Sequence, residues 1–265
     1  MRNIKLKIAY DGTDFCGWQR QSSANMGAKG PFNPSAKKNT VQEVLEEALS
    51  RLHKKYTPAS GAGRTDSGVH ARGQTANFFT DIKSIKDASF IPALNSILPP
   101  DVRITDSAEV PASFHARFDA KMRFYRYFLI CGKDASPHDA RFALNLRDRT
   151  PDIRLLNEYC RFLRGECDCS LFASAKDGAF KKGSGSKRRF IRQCYFFMEK
   201  GRLVFEVAAN AFFWKMVRSM LGTFLFYEEK QTPPLEFQKI LARGDHSKAG
   251  PTAPPNGLFF WNVEY

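Results

Sequence analysis

Residues Gly61–Gln74 read GAGRTDSGVHARGQ and hold a dense set of groups able to do chemistry: Arg64, Asp66, His70 and Arg72, among four glycines in fourteen positions. Glycine adopts backbone conformations closed to other residues and lets another molecule approach closely. Positive charge beside a carboxylate favours its ionised form, which equips Asp66 as a nucleophile or a base. The same residues also fit an Asx-turn, in which Asp66 bonds only its own backbone. A second cluster, Ala209–Leu225 (ANAFFWKMVRSMLGTFL), is apolar round nearly the whole circumference of the helix it predicts, yet it carries Arg218. An unpaired guanidinium is costly to bury, so Arg218 either meets an anion or snorkels to solvent. A third cluster, Phe114–Phe128 (FHARFDAKMRFYRYF), puts Arg123, Tyr125 and Tyr127 on one face of a strand. That face suits base stacking with phosphate contact, and it equally suits a core with satisfied hydroxyls. Finally, Lys181, Lys182, Lys187, Arg188, Arg189 and Arg192 surround Gly183–Ser186. This is either a basic arm for phosphates or a solvated loop.

The elements that must position these groups follow from periodicity. Ile4, Leu6, Ile8 and Tyr10 alternate with Lys5, Lys7 and Ala9, which predicts a strand buried on one face. Residues 22–39 are polar, aperiodic and rich in glycine and proline, and read as a surface loop. Thr40 and Glu43 form a capping box, after which Val41, Val44, Leu45, Ala48, Leu49 and Leu52 trace a helical stripe. Further strands are expected over Gln74–Thr80, Val102–Val110, Met122–Cys131 and Leu258–Tyr265, and a helix over Ser89–Leu98. Asp152–Arg164 predicts an amphipathic helix closed by Gly165. Arg189–Met198 and Arg202–Asn210 flank Lys200-Gly201 as a hairpin, and Trp214–Tyr227 and Leu235–Arg243 read as helices. Each half of the chain thus mixes strands and helices in similar order, which suggests two α+β units.

Composition narrows the function. The 265 residues carry 41 Lys+Arg against 27 Asp+Glu, a formal net charge of +14, and the isoelectric point is near 9.6. Such a surplus points to a polyanionic partner, because each cation that meets a phosphate releases a condensed counterion. No apolar run is long enough to span a membrane. The first residues have the charge of a signal sequence but alternate like a strand. Six scattered cysteines without a CxxC pair read as reduced thiols in a cytoplasmic protein; Cys167 and Cys169 lack the second pair that a zinc site needs.

Seven segments, in order, resemble the TruA-type tRNA pseudouridine synthases. They are YDGTDFCGWQRQ (Tyr10–Gln21), TVQEVLEEAL (Thr40–Leu49), GRTDSGVHARGQ (Gly63–Gln74), LNSILPPDVRI (Leu94–Ile104), FHARFDAK with RFYRY (Phe114–Tyr127), FFWKMVRSMLG (Phe212–Gly222) and AGPTAPPNGLFFW (Ala249–Trp261). By this resemblance Asp66 takes the place of the family's catalytic carboxylate and Arg218 that of the arginine paired with it. Tyr125 matches the tyrosine that packs on the target uracil. Arg64 matches an arginine implicated in filling the space the displaced base leaves, and Leu258 matches a residue of the uracil pocket. The implied fold is α+β: two RNA-recognition-like α/β halves with mainly antiparallel sheets meeting over a central catalytic cleft. The halves would be residues 1–111, with the Asp66 loop, and 112–265, with Tyr125 and Arg218. The implied activity is conversion of uridine to pseudouridine in the tRNA anticodon stem-loop, at positions 38, 39 and 40, by a cytoplasmic homodimer. The chain departs from the family pattern at the longer polar stretch 22–39 and at Ala175–Arg192.

That reaction gains no atom and no electron, so it calls for no cofactor and no metal. It needs a carboxylate that attacks C1′ or removes the C2′ proton. A non-catalytic RNA-binding protein would need the basic surface without the Asp66–Arg218 pair. A retaining glycosidase would need a second carboxylate about 5–5.5 Å from the first, and the glycine-rich loop offers only Asp66.

Overall fold

The computed structural model describes residues 1–20, 39–173 and 186–265. Over these the chain forms ten strands and six α-helices in two compact units, Met1–Lys121 with Phe260–Tyr265, and Met122–Phe259. The mixed α/β architecture with mostly antiparallel strands is the expected one. Most of the loop 22–39, together with Lys181 and Lys182, lies outside the described residues.

In the first unit the alternation at the N-terminus becomes β1 (Arg2–Tyr10), with Ile4, Leu6 and Ile8 wholly buried. It is followed by α1 (Val41–His53), β2 (Ser60–Gly61), β3 (His70–Thr80), α2 (Phe90–Asn95) and β4 (Val102–Val110). β1 lies between β3 and β4 and runs antiparallel to both. The capping box forms as expected: the Thr40 hydroxyl accepts from Glu43 N while the Glu43 carboxylate accepts from Thr40 N at 2.8 Å. Val41, Leu45 and Leu49 are wholly buried, as are Phe90 and Leu94. The helix expected to Leu98 stops at Asn95 because Pro99 and Pro100 follow and bias the chain away from helix. Asn95 instead uses its side chain to bind both the N–H and the carbonyl of Ile104 in β4.

The second unit holds β5 (Met122–Ile130), α3 (Pro137–Ala140), β6 (Leu144–Asn145), α4 (Ile153–Arg161), β7 (Gly165–Asp168), β8 (Arg188–Glu199), β9 (Arg202–Ala209), α5 (Met216–Glu229) and α6 (Pro234–Arg243). Its strand order is β5-β9-β8-β7, antiparallel throughout, with β6 parallel to β5. Lys200 and Gly201 both have positive φ, the pairing that a type I′ turn requires, so the expected hairpin closes there. The core is aromatic: Phe205 stacks on Phe196 at 4.8 Å and meets the edge of Phe224 at 5.6 Å, while Phe237 packs on Tyr159 at 4.3 Å. Gly165 does not close α4. The helix ends at Arg161, and Gly165, with φ +91, opens β7. α5 begins at Met216 rather than Trp214, because Lys215 takes a left-handed conformation and Trp214 turns out to solvent. The last strand, β10 (Leu258–Glu264), lies beside β3 through the residues that belong to the first unit.

Candidate active site

Asp66 stands half-buried on a tight turn before β3. Its carbonyl accepts from Val69 N at 3.1 Å, and Gly68 supplies the positive φ at the third position. Residues 10–18 hold this turn from one side. Trp18 N donates to Thr65 O at 3.1 Å, and Gly68 N and the Ser67 hydroxyl donate to Phe15 O at 3.3 and 3.2 Å. The approach is too close for a side chain. A Cβ on Gly12 would lie 1.9 Å from Val69 O, and one on Gly17, whose φ is +92, would lie 2.4 Å from Thr65 O. From beneath, the Tyr10 hydroxyl bonds Thr65 Oγ1 at 2.8 Å, and the buried Gln74 amide donates to Gly63 O at 2.8 Å. Burial pushes the Tyr10 hydroxyl well above the usual tyrosine range, so it remains a neutral partner. α1 completes the support: Val41 N and Gln42 N donate to the carbonyls of Gly17 and Trp18. These are first-turn amides that the helix itself leaves unused.

The other charged groups of the loop part company. His70 is wholly buried, and its Nδ1 accepts from Gly12 N at 3.0 Å, so it is a structural group under the 10–18 segment. Arg64 is exposed. Arg72 is exposed as well and lies over Trp261, 5.4 Å from the ring centre.

In the second unit Tyr125 projects from β5 opposite Val207 of β9, with its side chain almost wholly buried. Phe212 meets it edge-on, with centroids 5.0 Å apart and planes at 80°. Arg218 lies in the first turn of α5, half-buried on a helix otherwise buried almost all round. Its Nε donates to Ala253 O at 2.7 Å, and its own carbonyl accepts from Ala253 N at 3.1 Å. A cation in a first turn opposes the helix dipole, so this corner favours an incoming anion. The segment 249–258 is wedged between α5 and β5. Gly222 lets Pro251 O come where a Cβ would be 1.8 Å away, and the Tyr127 hydroxyl donates to Pro254 O at 2.7 Å. Leu258, buried at the start of β10, is set by this wedge; its N–H donates to Pro255 O.

Lys187, Arg188 and Arg192 are exposed and Arg189 is half-buried. The Arg189 guanidinium lies 3.8 Å from the centre of the Phe213 ring, and that of Arg192 lies 5.1 Å from Phe124. A bulge between Ile191 and Gln193 leaves Arg192 as the extra residue of β8 and re-aims it. No described helix is long and apolar enough to cross a membrane. The sequence assigns no site role to Gly12, Gly17, Gln74, Phe212 or Ala253, and reads Tyr10 only as a residue on the buried face of a strand. Their signal was present only as membership of the quoted segments, since a glycine demanded by close backbone approach looks like any other until the approaching carbonyl is known.

Comparison with known proteins is concordant. The model of a family described as tRNA pseudouridine synthase matches residues 8–119 and 160–265. The chain is 49% identical over 264 residues to the tRNA pseudouridine synthase A of Treponema denticola, covering 100% of this chain and 93% of that protein. It is 45% identical over 251 residues to the protein of the same name in Treponema pallidum, covering 95% and 84%. With that of Caldicellulosiruptor saccharolyticus the identity is 36% over 265 residues, covering 100% of each.

Proposed function

Because the chain belongs to the tRNA pseudouridine synthase family, we propose that it is an isomerase converting uridine to pseudouridine in tRNA, with Asp66 as its essential carboxylate. The observation that carries this reading is a half-exposed carboxylate on a turn whose backbone is fixed by glycine-mediated contacts on one side and by Tyr10 and Gln74 beneath. A reaction at a sugar carbon needs such a fixed carboxylate, since effective molarity is lost with small misplacements.

In this reading the N1–C1′ bond of the target breaks, the uracil turns, and C5 joins C1′. Asp66 attacks C1′ or takes the C2′ proton. Arg218 is its ion-pair partner and keeps the carboxylate charged where water is excluded. Tyr125, oriented by the edge of Phe212, stacks on the uracil, and Leu258 packs against it. Arg64 occupies the space the displaced base leaves. Unstacking the base costs a few kcal/mol, which stacking and phosphate contacts offset. Lys187, Arg188, Arg189 and Arg192, together with Lys181 and Lys182, supply those contacts without reading sequence. The finer expectations are action at positions 38, 39 and 40 of the anticodon stem-loop, a cytoplasmic location, where tRNA is found, and work as a homodimer. Support for these comes from the family resemblance.

The test is release of tritium from tRNA labelled at uridine C5, with pseudouridine mapped in tRNA from cells with and without the protein. Loss of pseudouridine at the three anticodon-arm positions alone is the expected result. Tritium release absent under all conditions would return the chain to the RNA-binding class, and loss at other positions would correct the substrate assignment.

A further inference from the structure

Cys167 and Cys169 lie on and just beyond β7, two residues apart and therefore on the same side of the strand. Their sulfurs are 3.4 Å apart, and both are free thiols. Among the described residues β7 is the edge strand of its unit, and Cys167 is half-buried while Cys169 is wholly buried behind it. The surroundings differentiate the two. The hydrogen bond from Cys169, reinforced by the Arg188 guanidinium, holds the Cys167 thiol below the usual range against partial burial and the charge of Asp168. Giving that hydrogen bond, with burial, pushes Cys169 up. Cys160 and Cys194 make an instructive contrast: both are wholly buried, and burial pushes Cys160 well above the usual range.

We propose that Cys167 and Cys169 form a reversible oxidation site that closes to an intrachain disulfide on meeting a low-molecular-weight disulfide. Cys167 has the exposure and the thiolate character of an attacking group, and Cys169 is the resolving thiol behind it. The Cys167 thiolate attacks one sulfur of oxidised glutathione, forming a mixed disulfide and expelling one glutathione thiolate. Cys169, no longer hydrogen-bonded to a thiolate, then gives up its proton and attacks Cys167 Sγ. The second glutathione thiolate leaves and takes up that proton. Two protein thiols are oxidised and one glutathione disulfide is reduced to two thiols. The sulfurs need to close only from 3.4 Å to a bond of about 2.05 Å. Across the extended Asp168 the two Cα atoms are separated by about 6.6 Å, within the range that disulfides span. The pair also sits across the ladder from the basic run, with Cys167 opposite Arg189, Asp168 opposite Arg188, and Cys169 N bonded to Lys187 O at 2.9 Å. The site does not rest on the tRNA reading, and its test needs no RNA.

The reduced full-length protein is incubated with oxidised glutathione, quenched in acid, alkylated, digested and analysed by mass spectrometry. The peptide carrying both residues is expected about 2 Da lighter and unalkylated, reverting with dithiothreitol, while Cys160 and Cys194 remain thiols. Cys169→Ser should stop at a glutathione adduct on Cys167, and Cys167→Ser should leave Cys169 a thiol. The proposal is overturned if both residues of the wild type stay alkylatable or if a glutathione adduct on Cys167 persists there. Reaction of Cys169 in Cys167→Ser at the wild-type rate would equally overturn it.

Discussion

Gly12 and Gly17 bring one stretch of backbone against another so that the turn carrying Asp66 has no freedom to drift. Arg218 is held in a comparable way, its Nε and its carbonyl both engaged by Ala253. Two side chains so firmly placed should behave as a unit if they act together on the substrate. Asp66→Asn should reduce tritium release to less than about a hundredth while leaving tRNA affinity nearly unchanged, because the amide keeps the shape and loses nucleophilicity and basicity. Arg218→Ala should slow turnover by roughly a hundredfold or more. Arg218→Lys should bind tRNA normally yet turn over slowly, since a point charge does not replace a planar fork. The double variant Asp66→Asn with Arg218→Ala should then be scarcely slower than Asp66→Asn alone. Effects that multiply independently would show that the two do not act as one unit.

α5 has to place Arg218 while lying against the 249–258 segment, and Gly222 is where the two meet. Alanine there improves helix propensity by about 1 kcal/mol. Its Cβ, however, would fall 1.8 Å from Pro251 O, a backbone atom that cannot turn aside. The clash should win, leaving Gly222→Ala destabilised by about 1–3 kcal/mol as measured by denaturant midpoint. A variant as stable as the wild type would mean that the segment is not packed on α5 as described. The same element shows where local pattern misleads. Trp214 and Lys215 extend the apolar helical stripe, yet Lys215 adopts φ +60 with its ammonium 4.2 Å from the Trp214 ring centre. Periodicity carries no information about such a contact, so it puts the start of α5 at Trp214, two residues early. Gly165 misled in the same way, because a positive-φ glycine serves the start of a strand as well as the end of a helix.

Over the whole molecule, the first unit borrows its last strand from the far end of the chain. Phe260 is wholly buried, Lys121 N donates to Glu264 O at 2.8 Å, and Tyr265 packs its ring on Phe114 and donates to Ala116 O. Deleting Phe260–Tyr265 should therefore free the edge of β3, seen as loss of hydrogen-exchange protection along residues 70–80. Wild-type protection there would refute the dependence. The net charge of +14 acts at the same scale. Replacing Lys187, Arg188 and Arg189 with alanine should weaken tRNA binding and flatten log K against log salt by up to about 3 units. An unchanged slope would remove this face from the interface.

Legibility followed the range of the forces involved. The alternation of Ile4 to Tyr10, the Thr40–Glu43 box and the Lys200-Gly201 turn were readable because each is decided by neighbours a few residues away. Asp66, Tyr125 and Arg218 stood out by type and by the order of the segments that hold them, which is also how the family showed itself. Hidden from the sequence were the partners: Thr65 on Tyr10, Ala253 on Arg218, Phe213 under Arg189, and the closing six residues beside β3. Those pairings join residues far apart in the chain, and they are settled by which backbones and rings fit together once the sheets have formed.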